Sequence, residues 1–356
     1  MRVLVIGGTG FIGQFLVPQL LESGQNVAVL QRPESTKPLP DGAQPIRGNR
    51  HMLADSAAAL RRFAPDVVID LILGSGRQAE VLVELFRGHA ERVVVASSMD
   101  VYRATGVLHG LEEGPLEPLP LREDSALRTR LQTYPAATIG MLQQIFAWLD
   151  DEYDKIPVER AVLGNEELPA TVLRLPMIYG PGDPLHRFFP LVKRIDDRRP
   201  VIVLPRALAD WRSPRGYVEN VAAAIALAST SDAASGWPHG RVYNVGEAES
   251  FTELEWARML GAATGWAGEV VVVEDDGAPA SVRVPGNLKQ HWIVDTTRLR
   301  SELGYRELVS REESIRRTIA WERANPPARL DPARFDYAAE DLAARAGRGG
   351  VMGPNY

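Results

Sequence analysis

The 356-residue chain contains no cysteine. Disulfides, thiol nucleophiles and thiolate-bound metals are therefore excluded before any pattern is read. Its six histidines (His51, His89, His109, His186, His239 and His291) are scattered, and none stands at metal-ligand spacing from another. Long apolar runs are missing too: nothing approaches the roughly 18 residues of a membrane-spanning helix, so no membrane partner is expected. An excess of positive charge is also lacking. A net charge of −6 over this length gives no footprint for nucleic acid. The first strand-like run begins at residue 3 and leaves no room for a signal peptide, so a cytoplasmic protein is expected. Core-forming residues are abundant, at 45% hydrophobic against 24% charged, which supports one large or two closely joined domains.

Glycine is where the chain is most organised. Val3-Leu4-Val5-Ile6 reads as a buried parallel strand, and Gly7, Gly10 and Gly13 follow it at once. Phe11, Ile12, Phe15, Leu16 and Leu20 then recur at helical spacing, until Gly24 stops the helix. A strand, three glycines and a helix in this order form a dinucleotide-binding turn. The first glycine permits the tight turn, the second lets the backbone approach a pyrophosphate, and the third lets helix and strand pack closely. The helix N-terminus offers unpaired N–H groups to the phosphates.

Further along, strands are expected at Asn26–Leu30, Ala43–Arg47, Asp66–Ile72, Arg92–Ala96 and Ala170–Ile178. Helices are expected at Leu53–Phe63, Gln78–Arg87 and, with a break around 150–157, over 139–163. This alternation predicts an α/β fold with a doubly wound parallel sheet, whose loops at the carboxyl ends of the strands line one crevice. After the second strand stands Gln31-Arg32 where an acidic ribose ligand is usual, so Arg32 is expected to pair with a 2′-phosphate and NADP is favoured, with NAD the other option. The fifth strand delivers Ser97-Ser98-Met99-Asp100-Val101-Tyr102 to the crevice. Residues 103–135, rich in Gly, Pro and Leu, read as a long irregular segment covering the site.

Taken together, Gly7-Gly8-Thr9-Gly10-Phe11-Ile12-Gly13, Ser97-Ser98-x-x-Val101-Tyr102 and Arg174-x-x-x-x-Tyr179-Gly180-Pro181-Gly182 resemble the extended short-chain dehydrogenase/reductase superfamily, which includes the NAD-dependent epimerases and dehydratases. Arg215-Gly216-Tyr217-Val218-Glu219-Asn220-Val221-Ala222, Val242-Tyr243-Asn244-Val245-Gly246 and Asp295 to Tyr305 extend the likeness over residues 1–325. The resemblance implies a Rossmann-type sheet of about seven strands with a smaller C-terminal substrate lobe. Residues 1–178 and 215–247 would form the dinucleotide-binding domain, and 179–214 with 248–330 the lobe. Residues 331–356 would be a tail, with one short helix over 335–346 and a flexible end from 347. It further implies an NAD(P)-dependent oxidoreductase or epimerase/dehydratase acting on a hydroxyl or carbonyl of a small-molecule, sugar-like substrate, nucleotide-linked or free. A homodimer is compatible with it. Gly7, Gly10, Phe11, Ile12, Gly13, Arg32, Asn49, Lys155, Pro176 and Ile178 are the expected cofactor contacts, and Arg187 and Arg215 the expected substrate contacts.

The family's chemistry runs on a serine or threonine, a tyrosine and a lysine. Ser98 and Lys155 match two of these. The tyrosine departs from the pattern: four residues before Lys155 stands Asp151, and Tyr153 is only two residues away. In extended backbone, residues i and i+2 share a face, and Pro157 favours a helix that starts near Lys155. Lys155 is then expected to bias Tyr153 toward its anion. Tyr134, followed at four residues by Thr138, is the reserve. A protein that binds the cofactor as a sensor or scaffold, having lost the tyrosine, is the alternative reading.

Overall fold

The computed structural model describes residues 1–132, 134–231 and 240–349. Its centre is a seven-stranded, fully parallel sheet. The strands are β1 (Arg2–Ile6), β2 (Asn26–Gln31), β3 (Gln44–Arg47), β4 (Val67–Asp70), β5 (Arg92–Ser98), β6 (Ala170–Leu175) and β10 (Arg241–Asn244). Their order is β10-β6-β5-β4-β1-β2-β3. The chain moves outward from β1 to β3, then crosses back to β4, so the strand order reverses between β1 and β4. A ligand crevice opens at such a switch point, at the carboxyl ends of the strands.

Both faces of this sheet are covered, which is why its strands are runs of Val, Ile and Leu rather than alternating patterns. Val3, Leu4, Val5 and Ile6 are all fully buried. One face packs on α1 (Gly13–Glu22), through Leu16, Val17 and Leu20, and on the helix Val218–Thr230, through Val221 and Ile225. The other packs on α2 (Ala57–Phe63), α3 (Gly76–Phe86) and the helix Lys155–Leu163, through Leu60, Leu82, Phe86, Val158 and Val162.

Several elements differ from the sequence expectation. The helix expected at 53–63 opens as a 3₁₀ turn over Arg50–Ser56. The irregular stretch after residue 102 begins with a short helix, Arg103–Leu108. The helical pattern over 139–163 divides into Ala136–Ile145 and Lys155–Leu163, with the intervening residues nonhelical. Pro176, which has no N–H to give to a sheet, ends β6 at Leu175, and the chain restarts as β7 (Met177–Tyr179) paired with β9 (Arg215–Tyr217).

A second, two-stranded parallel sheet joins β8 (Val201–Pro205) to β11 (Glu269–Val273). The C-terminal helix, Tyr337–Gly349, packs on it, with Ala344 against Val201, Val203 and Val273. The buried Arg194 donates to both carboxylate oxygens of the buried Glu340, at 3.0 and 2.6 Å. Where the sequence suggested a helix over 335–346, the helix spans Tyr337–Gly349 and packs on this two-stranded sheet. Residues 347–349 belong to it, and 350–356 lie outside the described residues. Among the described residues no helix is long and apolar enough to cross a membrane.

Candidate functional site

The crevice floor begins at the glycine turn. Gly7 sits at φ +90°, a conformation that side-chain-bearing residues seldom adopt. At Gly13 a Cβ would lie 2.4 Å from the carbonyl oxygen of Gly7, so the close seating of α1 on the end of β1 requires glycine there. The N–H of Gly10 closes the turn onto the Gly7 carbonyl at 3.0 Å, and the carbonyl of Gly10 accepts from Gln14. The amides of Phe11, Ile12 and Gly13 have no acceptor among the described residues. These first-turn donors at the positive end of α1 form an anion cradle, and a pyrophosphate fits it. Phe11 and Ile12 are half-buried against the main core.

Beyond the end of β2, Arg32 is exposed with its Nε 3.5 Å from Glu34. Arg47 donates to the carbonyls of Arg32 and Ser35, and Lys37 reaches back to the Thr9 carbonyl at 3.3 Å. Buried Gln31 fixes this loop by donating to the Lys37 carbonyl at 2.7 Å. Asn49 uses its side chain to accept the His51 N–H at 3.0 Å. Pro176 and Ile178 are buried beyond the end of β6.

The middle of the crevice holds the titratable groups. Lys155, the first residue of its helix, is 4% exposed, and its ammonium donates to the carbonyls of Leu73 and Ala96. Burial is the main influence on it and pulls its pKa down to about 8, against the support of Asp100 and Asp70. Asp154 is extended, at φ −160° and ψ 130°, so Tyr153 and Lys155 fall on one side as expected, with the ammonium 5.8 Å from the tyrosine ring centre. The phenol itself behaves otherwise. Tyr153 donates to Oδ2 of Asp100 at 3.3 Å, and burial together with that carboxylate pushes its pKa well up. The lysine is thus engaged by carbonyls, and the tyrosine hydroxyl rests on an acid.

Asp100 is the residue that sequence reasoning missed. It lies within the Ser97–Tyr102 stretch and is 2% exposed, and its Oδ1 has no hydrogen-bond partner among the described residues. Burial lifts its pKa to about 6, opposed by the charges of Arg128 and Lys155. The available signal was an acidic residue two positions beyond a buried strand. Ser98, half-buried at the end of β5, accepts the N–H of Asp100 at 3.2 Å and holds the short turn that aims this carboxyl. Ser97 and Tyr102 serve the frame instead. Ser97 donates to Glu159, which binds Arg174 through both oxygens at 3.0 and 2.8 Å, and Arg174 lies 4.7 Å over the Tyr102 ring.

The covering segment is tied to the same point. Fully buried Arg128 donates to the Asp100 carbonyl at 2.6 Å and to Oδ1 of Asp154 at 3.1 Å, and Asp154 also accepts the Gln132 N–H at 2.6 Å. Tyr134 brings its ring within 6.1 Å of Tyr153, which in turn lies 6.4 Å from Trp148. Burial and Asp100 raise the Tyr134 pKa. Of the arginines expected to meet substrate, Arg187 donates to the Ile178 carbonyl at 2.8 Å and to Asp183 at 2.7 Å. Arg215 is 5% exposed and gives one nitrogen to both oxygens of Glu253, at 2.6 and 2.8 Å. Both are turned to internal carboxylates.

Comparison with known proteins places this geometry in context. The chain is 29% identical to the 2-alkyl-3-oxoalkanoate reductase of Stenotrophomonas maltophilia over 74% of its own length and 76% of the relative's. It is 27% identical to the dTDP-glucose 4,6-dehydratase of an Actinoplanes species, covering 91% of this chain and 98% of that one. Among solved structures, the UDP-glucose 4-epimerase of Thermus thermophilus, in complex with NAD, superposes with a TM-score of 0.58 at 26% identity, over 91% of this chain and 99% of that one. The sequence pattern of one family matches residues 3–246, from the glycine turn through the last strand of the sheet, and the chain belongs to it: the NAD dependent epimerase/dehydratase family.

Proposed function

We propose that the protein is an NAD(P)-dependent enzyme that oxidises or reduces a small hydroxy or oxo compound at its hydroxyl- or carbonyl-bearing carbon. The observation that carries this reading is the convergence of the Asp100 carboxyl, the Tyr153 hydroxyl and the Lys155 ammonium beside the glycine cradle. Similarity to a reductase of oxoalkanoates and to sugar-nucleotide dehydratases and epimerases supports the same reaction class.

Gly7, Gly10, Phe11, Ile12 and Gly13 would hold the pyrophosphate, and Lys155 the nicotinamide ribose. When bound, the nicotinamide supplies or accepts the hydride. The chain's own residues handle the proton. In oxidation, Tyr153 takes the proton of the substrate hydroxyl while passing its own to Oδ2 of Asp100, and in reduction both transfers run backward. A phenol with a raised pKa does not ionise as a resting state, so it relays while Asp100, poised near neutrality, stores the proton. Ser98 orients the turn beneath them. The same reading favours NADP over NAD, a preference supported by the cations Arg32, Lys37 and Arg47 on or beside the loop after β2, which could pair with a 2′-phosphate.

The test is turnover on a panel of hydroxy and oxo compounds with NADPH or NADP. Asp100→Asn and Tyr153→Phe should each lower turnover by about 10² to 10⁴, the usual worth of one positioned acid–base group, with cofactor affinity retained. Lys155→Met should damage both turnover and cofactor binding. Full activity in Tyr153→Phe with loss in Tyr134→Phe would transfer the relay to Tyr134. Full activity in Asp100→Asn would refute the carboxyl's role.

A further inference from the structure

We infer that Asp70 is a positioning residue for Lys155. With Arg50 behind it, Asp70 shapes the turn that offers the Leu73 carbonyl to the ammonium, and it supplies a fixed negative charge that keeps the ammonium protonated. This role rests on the reading above, in which Lys155 holds the nicotinamide ribose.

Asp70 closes β4 at the carboxyl edge of the sheet, beside Ile6 of β1 and Val95 of β5. It is 0% exposed, in a place where a carboxyl is costly, and neither the anion cradle nor the proton relay uses it. Its Oδ1 accepts the Ile72 N–H at 3.0 Å, a turn that short acidic side chains favour. That turn brings the Leu73 carbonyl round to the Lys155 ammonium. At the next residue the loop is held again: the Gly74 N–H donates to Oε1 of buried Gln78 at 2.9 Å. The Gly74 carbonyl in turn accepts the N–H of Asp154, the cap of the Lys155 helix, at 3.0 Å. Arg50 locks the arrangement from behind. Its Nη2 lies 3.2 Å from Oδ2 of Asp70 and donates to the Gln78 carbonyl at 3.0 Å.

The Arg50–Asp70 pair is ionic, because a guanidinium does not give up its proton and a buried one without a counter-ion is strongly destabilising. The charged groups facing Asp70 are Arg50 and Lys155. Those facing Lys155 are Asp100, Asp70, Glu159 and Arg50, with the Trp148 and Tyr153 ring centres at 5.7 and 5.8 Å. The three carboxylates differ in kind. Asp100 gains and loses the relayed proton, so its support of the ammonium comes and goes. Asp70 and Glu159 keep their charge. Of these two, Asp70 weighs more on the ammonium, since both oxygens of Glu159 are bound by Arg174. Burial draws the Lys155 pKa down to about 8, and Asp70 opposes that fall from an interior where screening is weak.

The test is the dissociation constant of NADPH, or of NADH where that binds tighter, by fluorescence titration of the full chain at pH values on both sides of 8. In the parent chain the constant should rise by about tenfold above that pH, as the charge-assisted hold on the ribose is lost. Asp70→Asn keeps an oxygen for the Ile72 N–H and removes the charge. The rise should then begin about one pH unit lower, a tenfold loss in the proton affinity of Lys155. A rise at the parent's pH, or weakening by one factor at every pH, overturns the assignment, because a merely structural role gives one of those. Where Asp70→Asn does not fold, Asp70→Asn combined with Arg50→Met removes both charges and strands neither. Its rise should still move down, by less, because Asp70 weighs more on the ammonium than Arg50 does, and no movement overturns the assignment. Failure of the wider reading looks different: Lys155→Met would bind the dinucleotide as tightly as the parent chain does.

Discussion

A carboxyl held near pKa 6 and an ammonium held near 8, both by burial, make the centre of this crevice costly to fold and sensitive to pH. The sign of each effect differs. Asp100, raised from 3.8, binds more protons in the folded chain than in the unfolded one between about pH 4 and 6, so it stabilises the fold at low pH and that contribution is lost as pH rises through about 6. Lys155, lowered from 10.5, binds fewer protons when folded, so its burial cost is relieved as pH rises above about 8. Asp100→Asn removes the ionised carboxyl and should therefore raise thermal stability at pH 7, by up to about 3 kcal/mol for a shift of some two units, while lowering turnover. Below pH 4 the two proteins should converge. Equal melting temperatures at pH 7 would show that the carboxyl is not in a desolvated setting. Oxidation, which needs the carboxylate, should rise with pH through about 6 and decline above about 8 as Lys155 loses its charge. The groups facing Asp100 that set these limits are Lys155, Arg128, Asp154, Tyr153 and Tyr134.

At the scale of elements, the site is assembled where the helix over Lys155–Leu163 begins, and Asp154 governs that start. Its Oδ1 accepts the Ile156 N–H at 2.8 Å as an N-cap and also meets Arg128, while Oδ2 holds the N–H of Gln132. One carboxylate thus caps a helix and clamps the covering segment. Asp154→Ala loses the cap, worth about 1 kcal/mol. It also strands the buried Arg128, so a total cost of about 3–5 kcal/mol is expected, read by denaturant unfolding. Asp154→Asn keeps an accepting oxygen for the cap but not the charge, and should fall between the two. Faster tryptic cleavage at Arg122 or Arg130 in Asp154→Ala than in the parent chain would show that the segment is released; unchanged cleavage would separate the cap from the clamp. Much of this architecture was legible in advance. Strands buried on both faces betray themselves as runs such as Val3–Ile6, and Pro157 placed the helix start beside Lys155. The Asp100–Tyr153 contact was not legible, because it joins residues 53 apart. Nor was the fate of Arg215, since a sequence shows a charge but not whether Glu253, 38 residues on, will neutralise it.

On the scale of the whole molecule, the glycine turn, the β2–β3 loops and the start of the Lys155 helix all border one crevice, so a dinucleotide lying along it would tie together segments from residue 7 to residue 178. Ligand that binds only the folded chain stabilises it by RT ln(1 + [L]/Kd), about 2.7 kcal/mol at a hundredfold excess over Kd. Melting temperature therefore reports cofactor choice without a substrate. Three cations, Arg32, Lys37 and Arg47, stand on or beside the loop after β2, with Glu34 3.5 Å from Arg32. Because Arg32 is exposed and its pair is long, turning from Glu34 to a 2′-phosphate costs little. NADP should accordingly raise the melting temperature more than NAD at equal concentration. Arg32→Ala should weaken NADP by about tenfold, or 1.4 kcal/mol, and leave NAD nearly unchanged, since only the 2′-phosphate is lost as a partner. Lys37→Ala should weaken both cofactors, because its ammonium lies over the Thr9 carbonyl of the glycine turn rather than over the ribose alone. An equal or larger shift with NAD in the parent chain would assign Glu34 to the ribose hydroxyls and remove Arg32 from cofactor selection.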